Sequence, residues 1–178
     1  MSQPIFLLIT QRGIQMVKII QNIMSDLVVR MDQASTPLVK ISMFIIFFWF
    51  GALKPLGISA AEQLVLDTVY WMPFLSPKGW LHVIGYWEMI IGVFFLFDKT
   101  IKYALILLFL QMAGTFMPLF ILSDITFQEG LVPYAPTLEG QYIIKNIIII
   151  AAAMVIGGRT LRKSADPRNW EWVRKEKH

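Results

Sequence analysis

The sequence predicts an all-α membrane protein: a four-helix transmembrane bundle with an N-terminal amphipathic interfacial helix and a short outer interfacial helix. Three observations lead there. The 178 residues are 56% hydrophobic and only 16% charged, against roughly 45–50% and 25% in soluble domains. Four apolar stretches approach the roughly 17–25 residues a membrane helix needs. The basic residues fall into three groups that four spans place on one side of the bilayer.

The elements follow in order. The start, MSQPIFLLITQR, has no basic leader and too short an apolar run for a cleaved signal peptide. Ile14, Met16, Val17, Ile20, Ile23, Met24, Leu27, Val28 and Met31 then recur at helical spacing, with Arg12, Lys18, Asp26, Arg30 and Asp32 interspersed. This predicts an amphipathic helix in the membrane interface, forming a segment 1–36. Thr36 is a candidate N-cap and Pro37 a first helical residue for the next element. The first span covers about 38–53, and Lys54-Pro55-Leu56-Gly57 ends it. Ser59 and Glu62 have capping-box spacing, which predicts the outer interfacial helix over 59–72.

Pro73 and the SPKG of 76–79 end that helix, and the second span is 80–97. The third is 101–122. Thr137 is placed to cap the fourth, which carries Glu139 in its first turn and ends near Gly158. The four-span domain is therefore 37–158, and a basic tail occupies 159–178. The tail carries Arg159, Arg162, Lys163, Arg168, Arg174, Lys175 and Lys177; Lys99 and Lys102 join spans two and three. The link between spans three and four holds acids only, so both termini are expected in the cytoplasm. Trp170 and Trp172 among these cations suit anionic headgroups rather than nucleic acid.

Composition also removes whole classes of chemistry. Cysteine is absent, which excludes disulfides, thiol relays and Cys-ligated metals. His82 and His178 are the two histidines, so no metal site is expected. His82 reads as an interfacial headgroup contact.

What remains is an ionisable set in apolar surroundings. Glu88 sits in GYWEMIIG, at the middle of its span, and shares a stripe with Gly85 and Gly92. Such glycines let another helix backbone approach closely. Gln111, Gly114, Thr115 and Pro118 share an arc of the third span. Gln141, Lys145 and Ala152 line up on the fourth, flanked by Tyr142 and Asn146. Counted along each helix, Glu88 lies about 12 Å and Lys145 roughly 9 Å below the outer end. Lys54 ends the first span in the same region. A buried Lys54–Glu88–Lys145 cluster is therefore expected, with Gln111, Thr115, Gln141, Tyr142 and Asn146 as polar lining and Gly85, Gly92 and Gly114 as close-packing glycines. Such a cluster either fixes helix register or lines a polar cavity.

FFWFGALK, GYWEMIIG and GQYIIKNIIIIAAAMVI, with the Ser76-Pro77 pair and TFMPLF, resemble the DoxX-like membrane proteins, nearest their YkgB/RclC branch. The resemblance covers about 40–157. Pro55 departs from it, since that branch has an aromatic residue after the lysine. It implies a multi-pass bacterial inner-membrane protein with recurring Lys and Glu at positions matching Lys54, Glu88 and Lys145. It implies little about reaction; the first reading is a non-catalytic stress-response or assembly module that binds a small molecule, lipid headgroup or partner, with an accessory role rather than stand-alone catalysis if the chain is redox-linked. No cofactor is required. Quinone remains compatible, in an accessory subunit of a membrane oxidoreductase; a small-solute or proton transporter is the third reading. The expected partners are the lipid bilayer, another membrane protein, or further copies of the chain in a homo-oligomer.

Overall fold

The structure is a computed structural model describing residues 3–164, with side-chain surroundings for 11–162. The expected Trp170 and Trp172 headgroup contacts lie outside the described residues. The chain divides into two compact units, Met1–Leu38 and Val39–His178. Its helices are α1 (Gln3–Phe44), a π-helical turn at Ile45–Trp49, α2 (Phe50–Leu53), α3 (Glu62–Val69), α4 (Pro77–Leu96), α5 (Ile101–Phe116), α6 (Pro118–Ile121), α7 (Ser123–Thr126) and α8 (Leu138–Ser164). Among the described residues the β structure is one isolated bridge, Phe127 to Pro136. Four helical stretches are long and apolar enough to cross a membrane, within 11–53, 77–96, 101–121 and 138–162. The fold is all-α, and the protein is a multi-pass membrane protein.

Three element boundaries differ from those the residues suggested. The helix does not restart at Thr36: α1 continues with Pro37 in its interior. Proline removes one backbone donor, and the Ser35 hydroxyl donates to the nearby carbonyl of Asp32 at 2.8 Å. Ser59 does not close a capping box. Its hydroxyl accepts from the Ala61 amide at 3.3 Å, and α3 starts only at Glu62. The SPKG segment is a helix start rather than a break. Ser76 caps α4 by accepting from the Gly79 amide at 3.2 Å, with Pro77 in the first turn, the position where a missing N–H costs nothing.

The cap expected at Thr137 forms. Thr137 accepts from the Gly140 amide at 3.3 Å and donates to the Ile125 carbonyl at 2.7 Å, tying the start of α8 to α7. A Cβ on Gly140 would collide with the Thr126 carbonyl. Pro118 separates α5 from α6, and the Gly114 carbonyl, four residues before it, accepts instead from the Met117 amide at 3.2 Å. At its other end α8 runs past Gly158 to Ser164.

Within the second unit the spans pack in chain order. The π turn and α2 lie on α4, α4 on α5, and α5 on α8, while α3 covers part of α4. One apolar core joins all four: Met43 and Phe47, Ile91 and Phe95, Ile101, Ala104, Leu108 and Met112, Ala153 and Ile156. At one end Lys40, at the start of the first span, pairs with Asp98 just beyond α4.

That alignment makes the first span short. From Lys40 to Lys54 the helix rises about 21 Å, whereas α4 rises about 30 Å. Lys54 is therefore left roughly 9 Å short of the far end of α4, beneath the segment that contains α3. The crossing there is built on glycines. A Cβ on Gly85 would meet the Gly51 carbonyl at 2.7 Å and the Lys54 Cβ at 2.9 Å; one on Gly92 would meet the Phe48 amide nitrogen at 2.8 Å. Gly114 differs: it is exposed, and nothing lies within 4 Å of the corresponding point.

These positions make opposite predictions. Gly85→Ala forces two backbones apart and should destabilise by about 1–3 kcal/mol. Gly114→Ala should be neutral or stabilise by up to ~1 kcal/mol, as in an ordinary helix interior. Unfolding titrations in mixed micelles read both.

Candidate functional site

Glu88 lies in the middle of α4, with apolar residues on both sides along the helix. Its carboxylate accepts from two neighbouring spans. The Lys54 ammonium donates to Oε2 at 2.5 Å, and the Gln111 amide donates to Oε1 at 3.0 Å. Both oxygens are thus engaged, one by a charge and one by a neutral donor. Lys54 is buried, at 7% side-chain exposure, and Glu88 nearly so, at 14%.

Each partner is positioned for a local reason. Lys54 follows α2 directly, and its ammonium also lies 3.5 Å from the Phe50 carbonyl. A cation at a helix C-terminus is favoured by the exposed carbonyls there. The π turn at Ile45–Trp49 widens the helix just before this point. It carries the stacked Phe44–Phe48 rings, 5.1 Å apart, past Gly92 and presents Gly51 to Gly85. Pro55 then follows, its ring within reach of a Cβ at Gly85. On the other side, Gln111 is held by α5, where the Thr115 hydroxyl donates to the Gln111 carbonyl at 3.0 Å. The Trp87 indole spans the same helix pair by donating to the Leu107 carbonyl at 3.2 Å.

The structure therefore brings together Lys54, Glu88 and Gln111, with Thr115 behind and Gly85 and Gly92 at the crossing. It leaves Lys145 outside the ion pair. Lys145 is exposed on α8, with its ammonium 5.4 Å from the centre of the Tyr142 ring. Helical side chains lean toward the N-terminus, so an amine one turn back is the natural resting place. Tyr142 and Gln141 are also exposed, and the Asn146 amide donates to the carbonyls of Tyr142 and Ile143 at 3.1 Å. The fourth span packs on α5 and α7, and its polar face does not converge on Glu88.

Two contributors escaped the sequence reading. Gly51 is one; its place three residues before Lys54 is the signal that marks it. The other is the way α3 packs on α4, with Thr68 and Val69 buried. Among the described residues no group of three or more His, Asp and Glu is placed to hold a metal ion. No buried side-chain nitrogen or oxygen there lacks a partner. The arrangement can therefore clamp three helices, with each oxygen of its carboxylate already accepting from a neighbouring span.

Glu88→Gln keeps the shape and removes the counter-charge of a buried ammonium. A loss of about 3–5 kcal/mol is expected, since one partner of a buried pair is stranded. Gln111→Leu removes one bond to a charged acceptor and should cost roughly 1.5–3 kcal/mol. Unfolding free energies of the purified variants should rank wild type above Gln111→Leu above Glu88→Gln.

No protein-family model matches the chain, and neither a curated protein nor a solved structure does so.

Proposed function

We propose that this chain is a non-catalytic membrane module, DoxX-like and nearest the YkgB/RclC branch, that serves stress response or assembly by recognising an anionic or carbonyl-bearing group. The reading sits it in a bacterial inner membrane, with both termini cytoplasmic by the basic-residue distribution. Its recognition surface is the α8 stripe of Gln141, Tyr142, Lys145 and Asn146. Lys54 and Glu88 are the clamp that holds the neighbouring spans.

The exposed ammonium of Lys145 on a membrane-crossing helix carries this reading. A charge near a helix centre costs about 2.5–3.5 kcal/mol on insertion scales, and charged residues within spans are functional-site candidates by default. Glu88 is answered inside the fold by Lys54 and Gln111; Lys145 has only an aromatic face. Its complement is therefore expected from a lipid headgroup, a small molecule or a partner chain. The same satisfaction of Glu88 argues against its use as a proton carrier. Quinone is the second occupant to weigh, because the Lys145 ammonium and Tyr142 hydroxyl are both donors beside apolar surface.

Lys145→Met separates recognition from folding. Stability should change by no more than about 0.5 kcal/mol, as for a side chain outside the packed core. Native mass spectrometry of protein extracted with its lipids should show an adduct on the wild type that is lost in the variant. Equal adducts on both would defeat the proposal. Quinone titration followed by tryptophan fluorescence assigns the occupant: saturable quenching that needs Lys145 identifies quinone, and its absence removes that alternative.

A further inference from the structure

Between α4 and α5 lies a crevice of about 400 Å³, walled by Phe94 on the first helix and Tyr103, Ile106 and Leu107 on the second. Tyr103 and Ile106 are exposed, while Phe94 and Leu107 are half-buried. Deeper along the same helix pair, the Trp87 indole ties α4 to the Leu107 carbonyl. The three α5 residues fall within about 9 Å of that helix's start. The link 97–100 joins two membrane-crossing stretches, so this end of the crevice lies where the bilayer meets water. The charges there are unbalanced. Asp98 pairs with Lys40. Lys99 and Lys102 are exposed and pair with no acid among the described residues. The Lys102 ammonium lies 4.8 Å from the centre of the Tyr103 ring, against a wall of the crevice. The Thr100 hydroxyl is turned back onto α4, donating to the Phe94 carbonyl at 2.8 Å and the Phe97 carbonyl at 3.1 Å. That leaves the start of α5 without a side-chain cap, and a helix N-terminus favours an anion.

We propose that this crevice seats an anionic phospholipid, with the upper part of one acyl chain against its apolar walls and the phosphate at Lys102 and Lys99. Charge selects that occupant, since basic pockets between membrane helices bind anionic headgroups. A zwitterionic lipid fills the crevice equally well but brings its own cation to the two lysines. A second copy of the chain offering the same face would bring like charges together. The site is separate from Lys145 and does not rest on the reading of it. A Cβ on Gly157 would meet the Leu105 side chain, which sets the level of α5 on α8, and Lys145 is about 18 Å from Gly157 along that helix.

Native mass spectrometry tests the proposal on the full-length chain, delipidated in detergent and titrated with dioleoyl phosphatidylglycerol or dioleoyl phosphatidylcholine. All titrations use a Lys145→Met background, so the α8 surface contributes to neither outcome. Phosphatidylglycerol should bind at least about tenfold more tightly, since each lysine near a membrane surface is worth roughly fivefold. Lys102→Gln should weaken phosphatidylglycerol about fivefold and leave phosphatidylcholine unchanged. Ile106→Trp, at an exposed position, fills the crevice and should weaken both lipids with the lysines intact. Equal affinity for the two lipids, or the same phosphatidylglycerol affinity in a Lys99→Gln, Lys102→Gln double variant, would overturn the proposal. Tight binding that Ile106→Trp leaves unchanged would put the lipid elsewhere and overturn it as well.

Discussion

The ion pair between Lys54 and Glu88, closed by Gln111, is the constraint around which the rest of the second unit is arranged. A carboxylate in the middle of a spanning helix cannot be hydrated by lipid, so its partners have to come from neighbouring helices. Attraction between unit charges grows as the dielectric falls, but so does the penalty for taking each out of water. The balance favours the pair only when geometry is good and the remaining lone pairs are occupied. Gly51 and Gly85 bring the two backbones close enough for the first condition. Gln111 meets the second by taking the other carboxylate oxygen. The short first span and the π turn then follow as the means of holding Lys54 at that depth.

Much of this was legible in the residues. The four spans, the buried role of Glu88, its stripe with Gly85 and Gly92, and the Thr137 cap all follow from spacing and from the cost of charge in lipid. What was not legible depends on neighbours that a single chain pattern does not name. Lys54 and Lys145 look equivalent by depth, yet only the first lies on a helix packed against α4. Gly114 resembles Gly85 by composition of its arc, but no neighbour comes close to Gly114 itself. Pro37 carries a strong stop signal, and α1 runs through it because an α-helix tolerates the loss of one donor where the surrounding turns persist. Ser76 was read as part of a break because proline in the next position serves equally well as a first helical residue.

The result is a contrast between a carboxylate answered inside the fold and the exposed ammonium of Lys145. Lys54 and Glu88 lock adjacent spans, and each oxygen of the carboxylate already accepts a hydrogen bond. Lys145, on the last span, is set apart with Tyr142, Gln141 and Asn146, where a ligand or partner can complete it.

The central claim is that Lys54 and Glu88 stabilise the fold through each other. A double-mutant cycle with Lys54→Met and Glu88→Leu, measured by unfolding in bilayers, tests this most directly. If they act as a pair, each single variant loses several kcal/mol and the double variant recovers most of it, because no stranded charge remains. Additive losses in the double variant would show that the two side chains contribute independently, and the clamp would not be the basis of this structure.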